Sequence, residues 1–366
     1  AGPDRYATSA AISQSIASAP HRAVVVASVE NFPDELAVWP LVLELPVEDG
    51  WAAEEFPILL VGRDKIPDAV AAEIQRLAPD HIVVVGGPAA VSDAVLTQLA
   101  GIVGTAEVGR VSGEDRYETA AMLTAGVDPV DEVFVVSGEG FPDALTAGPA
   151  AARQGTVLVL TRTASLPQPS ADTLTRLAPS KVTVVGGPAA VSDAVVAQIQ
   201  QALPGATVSR VSGPNRYATA AAVADAVWPN GAESVFLAPG AKFPDALSGT
   251  TAATLNDAPI LLTRETCHPS ETIASLADLD PALRVHLGGE LATYMGTTVC
   301  GTPEPTPEPA PETAPGPDPR VVDDVDCTDF ATHAEAQAWF DYWYPIVGDL
   351  FNLDRDSDGS ACETLP

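Results

Sequence analysis

Lysine is nearly absent from this chain: Lys65, Lys181 and Lys242 are all that 366 residues contain. With 18 basic residues against 49 acidic ones, the formal charge is −31. A nucleic-acid backbone is held by Lys and Arg neutralising its phosphates, so that partner class fits poorly. An acidic surface suits salty surroundings, neutral partners, or cations that bridge to anionic ones. No stretch of eighteen apolar residues occurs, so no helix of the chain is expected to span a bilayer. A C-x-x-C zinc arrangement is missing too. The five histidines (His21, His81, His268, His286, His333) are scattered, and no G-x-S-x-G or zinc-protease string accompanies them. The chain therefore reads as non-catalytic. It opens at AGPDRY, part-way into a repeat, which is consistent with a secretory leader having been removed.

What the chain does have is repetition. VVGGPAAVSDAV stands at 84–95 and again, letter for letter, at 184–195. Two further features recur in order with it: GPDRYATSAA (2–11), SGEDRYETAA (112–121) and SGPNRYATAA (212–221), then FPDELA (32–37), FPDALTAG (141–148) and FPDALSG (243–249). An apolar run follows each FPD: FPILLVG (56–62), TVLVLTR (156–162) and APILLTR (258–264). The first copy carries an insertion, LVLELPVEDGWAAEE, and the last copy of the dodecamer decays to LGGELATYMG (287–296). Such a period marks one structural unit packed against copies of itself.

Each copy alternates buried strands with helices. The runs AVVVAS (23–28), EVFVVSG (132–138), SVFLAPG (234–240), HIVVVGG (81–87) and KVTVVGG (181–187) are continuous and β-branched, as strands covered on both faces require. Helical stretches such as 66–78, with Pro67 near the start, lie between them. The fold class is α/β, with parallel sheets covered on both sides. VVGG reads as a strand end and tight turn, with Pro88 entering a helix whose first turns are AAVSDAV. A phosphate cradle at that point is disfavoured, because G-x-G-x-x-G is absent and proline removes an amide.

The ordered combination (S)G-x-(D/N)-R-Y-x-T-A, F-P-D-A-L, P-I-L-L-T and V-x-V-V-G-G-P-x-A-V-S is similar to the cell wall binding repeat, type 2, over about 300 residues. That resemblance implies three Rossmann-like or toprim-like modules in a pseudo-threefold arrangement within a monomer. It also implies non-covalent attachment to an anionic cell wall glycopolymer at a Gram-positive surface. The attachment positions it implies are Arg5, Tyr6 and Asp34, then Arg116, Tyr117 and Asp143, then Arg216, Tyr217 and Asp245, with the ILL segments 58–60, 158–160 and 260–262. The repeats are placed at 1–108, 109–207 and 208–300.

Each aspartate of FPD is read as a helix N-cap or first-turn acid, which the helix dipole favours. Each arginine sits at a helix start, where a cation is unfavourable unless a carboxylate pairs with it. The expectation is one Arg–Asp pair per copy at the carboxyl ends of its strands, where ligands enter open α/β sheets. Repeat one lacks the strand that should precede GPDRY, and repeat three lacks the GGPAAVSDAV helix start, so both outer edges are expected to be imperfect.

Residues 301–320 are rich in Pro, Glu and Thr and read as an extended spacer. The remainder, 321–366, contains D-x-D-x-D-G at Asp354, Asp356, Asp358 and Gly359. Alternate carboxylates on a glycine-bearing loop suit calcium, with Ser360 offering its carbonyl and Glu363 closing the set. Leu365 stands where an EF-hand places its last Glu, so the segment is not an EF-hand. D-x-D-x-D-G-x-x-C-E resembles the excalibur domain, which implies extracellular calcium binding. Four cysteines allow three connectivities. Local pairing gives Cys267–Cys300 and Cys327–Cys362, stapling the tail around Phe330, Trp339, Phe340, Trp343, Tyr344 and Phe351. Paired cysteines imply a secreted, oxidising place of work, and the resemblance places it at the cell wall. Alternatives are a surface-layer component that binds another protein, and an extracellular hydrolase.

Overall fold

A computed structural model describes residues 2–28, 56–104, 106–241, 244–264, 266–288 and 299–300, together with 330, 332, 336, 337 and 339. The chain divides into two compact units, Ala1–Glu304 and Pro305–Pro366.

The first unit holds three parallel sheets. In the first, β1 (Ala23–Ser28), β2 (Ile58–Val61), β3 (His81–Val85) and β4 (Glu107–Val111) lie in the order β2-β1-β3-β4. The second repeats it with β5 (Glu132–Ser137), β6 (Leu158–Thr161), β7 (Lys181–Val185) and β8 (Thr207–Val211), in the order β6-β5-β7-β8. The third contains β9 (Ser234–Pro239), β10 (Ile260–Thr263) and β11 (Leu283–His286), in the order β10-β9-β11. Register repeats as well: Val25 faces Ile58 and Val83, Phe134 faces Leu158 and Thr183, and Phe236 faces Ile260 and Val285. The apolar runs form the central strands because only both-side coverage tolerates them. Each side chain of β1, β2, β6, β9 and β10 is buried.

The helices are α1 (Arg5–Ile16), α2 (Asp68–Leu77), α3 (Asp93–Val103), α4 (Arg116–Leu123), α5 (Pro142–Arg153), α6 (Gln168–Leu177), α7 (Asp193–Ala202), α8 (Arg216–Val227), α9 (Pro244–Leu255) and α10 (Ser270–Leu279). The helices that begin with Arg-Tyr lie over the ILL strand of their own module: α1 on β2, α4 on β6 and α8 on β10. Two contacts join modules in the same way, α8 against α5 and α1 against α9, while α5 also packs on α9. One apolar core therefore runs through all three modules, from Val25 and Leu60 through Phe134 and Leu145 to Phe236 and Leu247. Separate cores cover the outer faces of the first and second sheets, around Ile74 and Leu99 and around Leu174 and Ile199.

Three sequence expectations need correction. Pro88 does not enter a helix. Residues 86–92 form a turn, with Gly86 at φ +102° and Gly186 at φ +111°, and α3 and α7 begin only at Asp93 and Asp193. The reason lies in the next strand. Arg110 donates to the Gly86 carbonyl, to the Val91 carbonyl at 2.7 Å and to Asp93 at 3.1 Å. Arg210 reaches the Gly186 carbonyl at 2.6 Å and Asp193 at 3.1 Å. The duplicated dodecamer is thus a turn threaded onto one guanidinium.

The second correction concerns the strand before each D-R-Y. β4 and β8 complete the sheet of the preceding module, so the first sheet lacks nothing and extends to Val111, beyond residue 108. Among the described residues it is the third sheet that ends after three strands. The third concerns the ILL segments. Leu59, Leu60, Leu160 and Leu261 have no exposed surface, so their side chains belong to the cores.

The expected Cys267–Cys300 disulfide is present, beside a parallel bridge between His268 and Val299. Cys327, Cys362, Asp354, Asp356, Asp358, Ser360 and Glu363 lie outside the described residues. In the second unit, Phe330 and Trp339 are buried with ring centroids 5.9 Å apart.

In the first module, Glu73 is buried beneath α1. It accepts from Ser13 Oγ at 2.5 Å, from Arg76 Nε at 2.8 Å and from Gln14 Nε2 at 3.2 Å. Burial pushes its carboxyl upward, but the hydrogen bonds from Arg76, Ser13 and Gln14 prevail and hold it below the usual range. Arg76→Ala leaves that charge inside without its main partner. The expected loss is about 2–3 kcal/mol in urea unfolding near pH 7. The loss should shrink on acidification, as Glu73 takes up a proton below the ordinary carboxylate range.

Candidate functional site

Among the described residues, Arg116 with Tyr117 and Arg216 with Tyr217 stand at the carboxyl ends of the strands, and Asp143 lies at the seam between the second and third modules. Each Arg-Tyr helix opens on a capping side chain: Asp4 accepts from Ala7 N, Asp115 from Tyr117 N and Glu118 N, and Asn215 from Ala218 N. That cap offsets the unfavourable dipole felt by the following arginine. Arg116 donates to the Gly138 carbonyl at 2.5 Å, and Arg216 to the Gly240 carbonyl at 2.6 Å. These guanidiniums tie the helix start to the end of the neighbouring central strand.

The tyrosines form the floor of the site. Tyr117 and Tyr217 are each 4% exposed. A Cβ on Gly138 would stand 2.9 Å from the Tyr117 ring, and one on Gly240 would stand 2.7 Å from the Tyr217 ring, so both positions need glycine. Over the rings lie two arginines from the ILL strand ends. Arg162 stands 5.3 Å from the Tyr117 centroid and Arg264 stands 6.0 Å from that of Tyr217. Burial, reinforced by the Glu139 charge, pushes the Tyr117 hydroxyl up to about 12, so it stays protonated. Arg162 also approaches Asp115 at 3.5 Å. In the third module, Asn215 donates to Glu271 at 3.0 Å, and that bond, helped by the Arg264 charge, holds the Glu271 carboxyl below its ordinary range.

The expected pairing of Arg and Asp inside each copy is not what the fold builds. Asp143 lies in the first turn of α5, with its carboxyl against Gly186 of its own module, where a Cβ would come within 2.5 Å of Oδ2. The cation that acts on it is Arg216 of the next module, brought there by the packing of α8 on α5. Burial outweighs that attraction and pushes the carboxyl up to about 6. Arg5 is exposed at the first position of α1, and Tyr6 is half-buried with its hydroxyl near Gly62. Asp34 and the side chain of Asp245 lie outside the described residues.

Four arginines of the site were not singled out from the sequence. Arg162 and Arg264 close the runs TVLVLTR and APILLTR, and Arg110 and Arg210 stand in GRVSG and SRVSG. The recurrence was the available signal. Module one departs from it, since Gly62 occupies the position of Arg162 and Arg264.

Asp143 yields a pH prediction. Its carboxyl is protonated more readily in the folded chain than near 3.9 in the unfolded one, so the folded state holds the extra proton between those values. Its contribution is favourable below about pH 4 and is lost as pH rises through about 6, a change of up to about 3 kcal/mol. Asp143→Asn should flatten that part of the profile and unfold later than the parent at pH 8, measured by calorimetry from pH 4 to 8.

The geometry can be set beside known proteins. Residues 1–96, 110–196 and 210–298 match the family described as Cell wall binding domain 2 (CWB2). The chain is 28% identical over 270 residues to the amidase enhancer of Bacillus subtilis (strain 168), covering 74% of this chain and 35% of that protein. With N-acetylmuramoyl-L-alanine amidase LytC of the same organism the identity is 26% over 262 residues, covering 72% and 49%. Cwp6 and Cwp8 from Clostridium difficile superpose with TM-scores of 0.70 and 0.69 at 25% and 26% identity. Each covers 79% of this chain, which spans 45% and 48% of theirs. The chain thus spans less than half the length of these relatives. Three matched segments, one on each parallel-sheet module, establish that it belongs to the cell wall binding domain 2 family.

Proposed function

We propose that this chain is a non-catalytic attachment protein of the bacterial cell surface, holding an anionic wall glycopolymer at the seams of its three modules. Membership of a wall-binding family supports the setting. The observation that carries the reading is Arg162, exposed above a buried tyrosine, with Arg264 repeating the arrangement one module later. A guanidinium fixed on an aromatic face is pre-organised for a phosphate or carboxylate and loses little freedom on binding. Several such contacts on one rigid scaffold add by avidity. The first site differs from the other two, because Gly62 stands where they have Arg162 and Arg264. The buried tyrosines and the ILL side chains support the site from below rather than touching polymer.

The tail is assigned to calcium on its donor set: Asp354, Asp356, Asp358, Ser360 and Glu363 are hard oxygen ligands of the kind that cation takes. The Cys327–Cys362 staple and an excalibur-type module belong to the same reading, with a dissociation constant on the order of 10⁻⁴–10⁻³ M.

Sedimentation with purified walls tests the attachment. The parent should pellet with walls and stay in solution once their anionic polymer is stripped. Arg162→Ala with Arg264→Ala should weaken retention about tenfold while leaving the melting temperature within a few degrees. Retention that survives stripping would point instead to a protein partner. Calorimetric titration with calcium should give heat that Asp356→Ala abolishes, and wall retention should persist in chelator, because the arginines rather than the metal carry it.

A further inference from the structure

The third sheet ends on β11, and among the described residues nothing pairs with its outer edge. In the other two sheets that place is taken by the segment leading into the next module's Arg-Tyr helix. β4 pairs with β3 and turns into α4, and β8 pairs with β7 and turns into α8. The turn itself is fixed. Gly113 N donates to Thr119 Oγ1 at 3.0 Å and Gly213 N to Thr219 Oγ1 at 3.1 Å. The same bond stands ahead of α1, where Gly2 N donates to Thr8 Oγ1 at 3.1 Å.

A Cβ at Gly2 would stand 2.5 Å from Ala7, as one at Gly113 would from Glu118, so the backbone approach is equally close. Because α1 packs on α9 as α8 packs on α5, the backbone entering Gly2 comes from the side of β11. The acceptor turn is also in place. Gly288 has φ +94°, matching Gly86 and Gly186. In the complete sheets those two glycines donate to the Val111 and Val211 carbonyls at 3.0 Å, and their own carbonyls receive Arg110 and Arg210. Leu283, at the start of the open strand, is 51% exposed.

We propose that the outer edge of β11 is a strand-docking site, whose occupant is an extended segment of the β4 and β8 type (x-V-x-R-V) running directly into Gly2. Docked there in parallel, the segment extends the third sheet to four strands. Its arginine reaches the Gly288 carbonyl, and the ring of modules closes through the backbone as well as through α1 and α9. An open strand edge is a template for such addition.

The test joins the β8 residues Thr-Val-Ser-Arg-Val ahead of Ala1 in the full chain and follows amide hydrogen exchange. The β11 amides that point away from β9 should exchange at least tenfold more slowly than in the parent, and the melting temperature should rise. An extension with proline at its first and third positions, whose amides are ladder donors in the equivalent strands, should do neither, and one with alanine for its arginine should give an intermediate result. Three outcomes overturn the proposal: equal protection by the proline extension, no change with either, or β11 amides already slow in the parent. The last includes slowness in a parent that sediments as a dimer, which would assign the edge to a second copy.

Discussion

A parallel sheet must be covered on both faces, and this chain meets that demand by sharing the covering helices between modules. The constraint falls hardest on α5. From Ala144 to Ala151 every residue is buried, because the helix faces its own sheet, α8 and α9 at once. Only small side chains allow three neighbours to approach so closely, hence the run Ala-Leu-Thr-Ala-Gly-Pro-Ala-Ala. The equivalent stretch of α9 obeys the same rule, with Gly249 so close to Leu287 that a methyl group would collide. A single module exposes this surface, so the repeat needs its fellows to be stable. Arg153 fastens the seam further, donating to the Val227 carbonyl at 3.1 Å, pairing with Asp257 and stacking on Trp228.

The site follows from that sharing. Where one module's FPD helix meets the next module's Arg-Tyr helix, charges from two modules enter one low-dielectric space. Asp143 feels Arg216 across the seam, yet its carboxyl stays well above the ordinary range, so desolvation decides its state there. The carboxyl keeps its proton only below about pH 6, and at neutrality its charge is set against Arg216 across the seam. The polar face of the site is formed by Arg162 and Arg264, while tyrosines and glycines determine how close they sit.

Much of this architecture was legible in the sequence. The β-branched runs at 23–28, 132–137 and 234–239 marked the central strands almost to the residue, since continuous apolar character has few other uses in an α/β chain. The start of α3 was misplaced because Pro88 is a common first helical residue. What delays the helix is Arg110, 19 and 24 positions from the two carbonyls through which it holds the turn, and these carry no sequence signature. The partner of Asp143 was misassigned for a related reason. Periodicity shows that a module recurs, but not that the seam, rather than the module, brings the charges together. Arg162 and Arg264 stood in plain view at the ends of apolar runs. Their role depends on stacking over a tyrosine some fifty residues distant, which only the fold displays.

The departures in the third module are mutually consistent. Arg284 and His286 occupy the β11 positions where β3 and β7 have Ile82 and Val84, or Val182 and Val184. Those four residues are buried against outer cores that include residues of α3 and α7. His268 likewise replaces Ile66 and Leu166, and its Nδ1 lies 2.6 Å from Thr263 Oγ1 instead of joining an apolar cluster. These positions put polar side chains on the outer face of the third sheet, and the Cys267–Cys300 disulfide ties down the same corner. The inner face shows no such relaxation: Phe236, Ala238 and Leu287 remain fully within the shared core. The third module thus differs from the first two on its outer face and matches them on the inner face, through which the three modules depend on one another.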